Sequence, residues 1–193
     1  MNESEFNQNL MNFLSASPTP FHATARMSRQ LEKVGFQRIF ESDIWDIKKH
    51  SRYYVTRNGS SLIAFTTGGL KLAETGIRMM GAHTDSPCLK VKPAPEVLRK
   101  SYLQLGVEVY GGALLNPWFD RDLSLAGRVT YLSADQKLSS ALVDFEAPVA
   151  FIPSLAIHFD REANNNRKIN AQTDLPPLLL QIDDNKKANF KNI

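Results

Sequence analysis

The sequence has little of what marks a disulfide-rich, membrane-spanning or secreted protein. Its single cysteine, Cys88, cannot form an intrachain disulfide, so nothing in the sequence indicates an oxidising compartment. No apolar run approaches the roughly 18–20 residues that span a bilayer. Residues 1–14 lack the basic and apolar regions of a signal peptide. We therefore expect a cytoplasmic protein with no membrane partner.

The sequence also has little net charge. Its 23 Lys and Arg residues against 20 Asp and Glu give +3 over 193 residues, and no segment concentrates basic residues with aromatic ones. A surface that follows a phosphate backbone needs such a concentration, so we expect no nucleic-acid partner. With 42% hydrophobic and 22% charged residues, the chain is typical of a folded protein of one or two domains.

The apolar pattern predicts two helices followed by a β-rich region. A helical stripe in residues 3–15 predicts the first helix, while Thr19 as N-cap and Pro20 predict the start of a second helix that ends at Gly35. Asn58-Gly59 between two β-rich stretches predicts a hairpin. Period-two alternation predicts later strands at 102–110, 125–132 and 138–145.

Two predictions concern the region between the hairpin and these later strands. Residues 76–83 are predicted to form a short buried strand that ends at the polar cluster Thr84-Asp85-Ser86. Residues 89–95 alternate and are expected to stop at two prolines. We place a candidate domain boundary at these prolines, between residues 92 and 93.

His83 is the strongest candidate for chemistry. It follows a predicted buried strand, and the carboxyl ends of strands are where α/β sheets place their ligand sites. Asp85 lies two residues further on. A nearby carboxylate that accepts one ring N–H fixes the imidazole tautomer that can bind a metal through the other nitrogen. Spacing alone leaves open a structural histidine bonded to a neighbouring loop.

Two further segments also leave alternatives open. His158 lies in an apolar segment, which on its own favours a core or edge-strand histidine over a ligand. The segment Trp118–Asp122 (WFDRD) is either a substrate-contacting loop or a buried ion-pair corner at an interface. We favour the second interpretation because aromatic residues and Arg are enriched at interfaces.

Four segments together resemble the aspartyl aminopeptidase family, which also contains vacuolar aminopeptidase I. They are SPTPFHA at 17–23, GAHTDSPCLKVKP at 81–93, YGGALLNPWFDRDLSLAGRV at 110–129 and IPSLAIHFDRE at 152–162. The segments occur in the family's order, and residues 170–179 resemble the family's next block. The resemblance therefore covers most of the chain.

The resemblance implies a zinc metallo-aminopeptidase that removes amino-terminal residues, often acidic ones, from peptides by means of two zinc ions per active site. By that analogy His83 binds zinc and Asp85 is the active-site carboxylate that orients it. His158 is implied to reach an active site, which can belong to a neighbouring subunit. The resemblance leaves open whether His158 contacts substrate or binds metal.

The fold implied by the resemblance is α/β. Residues 1–92 would form the amino-terminal part of an α/β metallopeptidase domain, and residues 93–193 an incomplete, inserted β-rich dimerisation domain. The implied assembly is a homo-oligomer built from dimers, up to a dodecamer. Family members are more than twice this length and carry the other metal ligands in their second half, so we expect this chain to be inactive alone. The alternative is a non-catalytic interaction or assembly module.

Overall fold

The computed structural model describes residues 2–182, so the predicted second domain, 93–193, extends beyond the described residues. The elements in chain order are α1 (Glu3–Ser15), α2 (Pro20–Lys33), β1 (Gln37–Arg38), β2 (Arg52–Arg57), β3 (Ser61–Thr66), α3 (Leu72–Thr75), β4 (Cys88–Arg99), β5 (Tyr102–Tyr110), a 3-10 turn (Asn116–Trp118), β6 (Ala126–Leu132), β7 (Leu138–Asp144) and β8 (Leu178–Gln181). Among residues 2–182, no helix combines the length and apolar character needed to cross a membrane.

The chain forms two compact units. The first contains the residues up to Ser86 together with Ala126–Asp144, and the second contains Pro87–Leu125 together with the residues from Phe145 onward. The first unit holds the helices, the second is built mainly from strands, and the mixed composition confirms the predicted α/β class. The division into a peptidase domain and an inserted domain stays a prediction.

The two long helices of the first unit begin where the sequence predicts. The side chain of Asn2 accepts a hydrogen bond from the N–H of Glu5 at the start of α1. Thr19 caps α2 by accepting the N–H of His22, and Pro20 occupies the first turn. Gly35 follows the helix with a φ of 86°, a conformation that glycine adopts without strain. Both predicted helices are confirmed.

Strands β2 and β3 form the predicted hairpin, with Asn58 and Gly59 at φ values of 52° and 64° in its turn. The N–H of Ser60 donates to the carbonyl oxygen of Arg57 at 3.1 Å and closes this turn. Tyr54 on β2 is fully buried and donates its hydroxyl hydrogen to the carboxylate of Glu32 on α2. Burial and the neighbouring Glu32 both raise the pKa of Tyr54. The hydrogen bond between Tyr54 and Glu32 links α2 to the sheet that contains β2 and β3.

Strands β6 and β7 form a second hairpin within the first unit. The register runs without interruption from the pair Ala126 and Asp144 to the pair Leu132 and Leu138. Arg128 ties this hairpin to the rest of the unit, since its guanidinium donates to the carbonyl oxygen of Asn58 at 2.7 Å. The same guanidinium lies 4.2 Å from the centre of the Phe21 ring on α2.

The second unit is built on an antiparallel sheet in the order β4-β5-β8. The prediction that β4 ends at its prolines is wrong, because the strand continues to Arg99 through an irregularity between Val91 and Glu96. A bulge accommodates residues that cannot donate to the ladder. The hydrophobic core of this unit contains Leu105, Val107, Phe119, Ile152 and Leu175.

Candidate metal and substrate site

His83 lies in an exposed segment that differs from the sequence prediction. Residues 76–83 do not form the predicted buried strand. They follow α3 without forming a helix or a strand, and Met79 and Met80 are almost fully exposed. A strand exists through hydrogen bonds to a neighbouring strand, and no strand within residues 2–182 pairs with this segment. The strand prediction for residues 76–83 is therefore wrong for the part of the chain that the structure describes.

His83 and Asp85 come together as the sequence predicts, with a different atom in contact. The Nδ1 of His83 lies 2.8 Å from the backbone carbonyl oxygen of Asp85 and 3.4 Å from its carboxylate oxygen. A carbonyl oxygen can only accept, so Nδ1 carries the hydrogen in the neutral ring. The other nitrogen, Nε2, then presents the lone pair that a metal requires. The imidazole is 82% exposed, so it is accessible.

His158 belongs to the second unit and lies on an exposed turn. The turn is closed by a hydrogen bond of 2.8 Å from the N–H of Phe159 to the carbonyl oxygen of Ala156. The interpretation of His158 as a core or edge-strand histidine is therefore wrong. An exposed imidazole at the outside of a turn can meet a ligand that arrives from solvent or from another chain.

The segment Trp118–Asp122 contacts the start of the loop that carries His158, residues 153–160. Asp120 has a φ of 53° and accepts the N–H of Ser154 through its carboxylate at 2.8 Å. The hydrogen bonds from Ser154, first from its side chain and then from its backbone, keep the pKa of Asp120 below its ordinary value, and the charge of Arg167 adds to this. Asp120 and Arg121 are both exposed in the single chain, so burial of this corner at an interface stays a prediction.

Arg167 contacts the other end of this loop, at Asp160. Its Nε lies 3.2 Å from the carboxylate of Asp160, and both side chains are less than one-fifth exposed. Its guanidinium also lies 4.2 Å from the centre of the Phe119 ring. Asp120 lies in the segment Trp118–Asp122, for which the sequence left a substrate-contacting loop open, whereas no sequence signal indicated Arg167. Nothing in the sequence pairs either of them with the His158 loop, because the contacts form only in the folded unit.

The described residues do not contain a complete metal site. No group of three or more His, Cys, Asp or Glu side chains within residues 2–182 is placed to hold an ion. A catalytic zinc is typically held by three protein ligands and a water molecule. His83 thus fits the role of a single ligand, and these residues alone do not fit a complete zinc site.

A family of known proteins matches most of the chain. The family described as aminopeptidase I zinc metalloprotease (M18) matches residues 13–192. The chain belongs to the M18 family. This confirms the family resemblance that the four sequence segments indicated, and the description of M18 names both zinc and peptide-bond hydrolysis.

Curated relatives agree with the M18 assignment. The chain is 58% identical over 187 residues to the probable M18 family aminopeptidase 2 of Pseudomonas fluorescens (strain SBW25). That match covers 97% of this chain and 43% of the relative. The chain therefore spans less than half the length of the curated M18 relatives that it matches.

Solved structures show the same fold. The chain superimposes on a chain of the cryo-EM structure of the Ape4 and Nbr1 complex with a TM-score of 0.85 and 38% identity, covering 94% of this chain and 35% of that one. The structure of the S. cerevisiae mApe1 dodecamer gives a TM-score of 0.75 with 33% identity, and 82% of this chain and 37% of that one are covered.

Proposed function

We propose that this chain supplies the zinc ligand His83 to an aminopeptidase that removes amino-terminal residues, acidic ones among them, from peptides. Membership of the M18 family supports the class of reaction. The observation that carries the proposal is the 2.8 Å contact between His83 Nδ1 and the carbonyl oxygen of Asp85. This contact leaves Nε2 as the metal-binding atom.

The remaining zinc ligands are proposed to come from polypeptide outside residues 2–182. The described residues do not provide three ligands, and the exposed apolar side chains of Ile77, Met79 and Met80 need a cover. We propose that one further segment supplies both the remaining ligands and the cover for these apolar side chains. When bound, zinc would polarise the scissile carbonyl and lower the pKa of a bound water molecule. The chain alone is proposed to be inactive, and the complete centre to hold two zinc ions.

His158 is proposed to contact the peptide substrate. Its position on an exposed turn of the β-rich unit fits a residue that reaches outward. We also propose a homo-oligomer built from dimers, in which a neighbouring copy receives this histidine. The dodecamer recorded for the similar mApe1 supports an assembly of this kind. The single cysteine supports a cytoplasmic location.

The decisive experiment replaces His83 by Ala in the full-length enzyme. Loss of a direct ligand should cost more than the roughly 10–100-fold that outer-sphere partners cost, so we expect release of an amino-terminal aspartate to fall by more than about 100-fold. Zinc content, measured by elemental mass spectrometry, should fall with it. His50→Ala is the matched control, because His50 is another exposed histidine of the same unit.

Unchanged zinc content and rate in His83→Ala would contradict the proposal. If the 193-residue chain alone forms a defined oligomer, and full-length protein prepared with zinc neither binds it nor hydrolyses peptides, the non-catalytic assembly module is the better interpretation. The His50→Ala variant should match the unaltered enzyme in both measurements.

A further inference from the structure

We propose that Asp120 is a positioning residue for His158, acting through the loop of residues 153–160. The inference rests on the proposed function, in which His158 meets the substrate. An imidazole on a free loop would sample many positions, and holding it in one place removes that entropic cost before the substrate arrives. Asp120 and its neighbour Phe119 provide this restraint at both ends of the loop.

The first end of the loop is fixed by backbone and side-chain contacts of Asp120. Its N–H donates to the carbonyl oxygen of Ile152 at 2.9 Å, and its carboxylate accepts the N–H of Ser154 at 2.8 Å. Ile152 is itself fully buried, so the loop starts from an immobile residue. The contact to Ser154 then extends the restraint two residues into the exposed part of the loop.

The second end is fixed through Phe119, the residue next to Asp120. Phe119 is paired with Ile152 in an isolated β-bridge. The guanidinium of Arg167 lies over the Phe119 ring, 4.2 Å from the ring centre. Arg167 in turn binds the carboxylate of Asp160 at 3.2 Å. Two consecutive residues, Phe119 and Asp120, therefore restrain both the entry and the exit of the loop that carries His158.

The chemistry of position 120 is specific to aspartate. Its φ of 53° lies in the left-handed region, which Asp and Asn tolerate better than other side chains do. Its ionised carboxylate is a pure acceptor with a full charge, and a charged acceptor forms a stronger hydrogen bond to a backbone N–H than a neutral one. An asparagine would keep the backbone conformation and lose the charge.

Asp120→Asn in the full-length enzyme tests the inference. Because it removes only the charge, we expect backbone amides of residues 153–160 to exchange with deuterium about 5-fold faster, with exchange in the surrounding core unchanged. We expect kcat/KM for a peptide with an amino-terminal aspartate to fall by a similar factor. Asp122→Asn is the matched control, since Asp122 is an exposed carboxylate only two residues away. It should change neither measurement.

A double variant separates positioning of His158 from a general structural role. If Asp120 acts through His158, then Asp120→Asn should not lower kcat/KM further in a His158→Ala background. Equal losses in both backgrounds, or unchanged deuterium exchange in residues 153–160, would overturn the inference. Normal kinetics in His158→Ala alone would instead overturn the proposed role of His158, and the exchange measurement would still report whether Asp120 holds the loop.

Discussion

The two segments that carry the candidate site histidines, His83 and His158, have different restraints. His83 is held by Asp85, two residues along the chain, and apolar side chains around it are exposed. The His158 loop is held by Asp120, which is 34 residues away from its partner Ser154, and by Arg167. A loop restrained by distant residues has its geometry determined within its own unit. The contacts of the His83 ring, by contrast, are with a residue of its own segment.

The largest expected effect comes from the base of the His158 loop. Ile152→Ala removes a fully buried side chain from the core of the second unit, and such a truncation should lower the free energy of unfolding by about 3 kcal/mol. Ile77→Ala, in the His83 segment, should lower it by less than about 0.5 kcal/mol because Ile77 is exposed. Urea denaturation of the 193-residue chain measures both.

Equal losses of stability in the two variants would show that the two segments do not differ in packing. The same two substitutions in the full-length enzyme provide a second test. If further polypeptide covers residues 76–83, Ile77→Ala should cost more than about 1 kcal/mol there, while the cost of Ile152→Ala should stay the same.

An intermediate effect is expected at the exit of the His158 loop. Arg167→Met removes a partly buried ion pair with Asp160 and the stacking on Phe119. We expect it to lower the free energy of unfolding by about 1–2 kcal/mol. Lys168→Met is the control, because Lys168 is the exposed neighbouring cation. A loss that is no larger than that of the control would show that Arg167 does not restrain the loop.

The smallest effect is expected beside His83. Asp85→Asn alters a half-exposed side chain and keeps the backbone carbonyl that accepts from Nδ1. We therefore expect a change below about 0.5 kcal/mol in the free energy of unfolding. The His83 ring should keep its hydrogen on Nδ1, which nitrogen-15 NMR of the imidazole detects. A shift of that hydrogen to Nε2 would show that the carboxylate, and not the carbonyl, sets the tautomer.

Elements fixed by local chemistry could be predicted from the sequence. Thr19 with Pro20 starts α2, and Asn58 with Gly59 makes the β2–β3 turn. Caps and tight turns depend on residues three or four positions apart, so their signals lie close together in the chain. The proximity of His83 to Asp85 was predictable for the same reason.

Features that depend on distant partners could not be predicted. The strand expected at residues 76–83 has no pairing strand among residues 2–182, and β4 passes through its prolines because β5 supports it on both sides of the bulge. The contact of Asp120 with Ser154 joins two segments that share no sequence pattern. Each of these outcomes is decided by tertiary structure, which hydrophobic periodicity does not encode.

The prolines within β4 have a consequence for the solubility of the β-rich unit. In the described part of the chain β4 is an outer strand of its sheet, and an outer strand with free N–H groups is a template for unwanted pairing with other molecules. Pro93 and Pro95 offer no N–H, and the bulge around them interrupts the ladder. A foreign strand would meet two positions on β4 that cannot donate, which disfavours pairing along the full length of this edge.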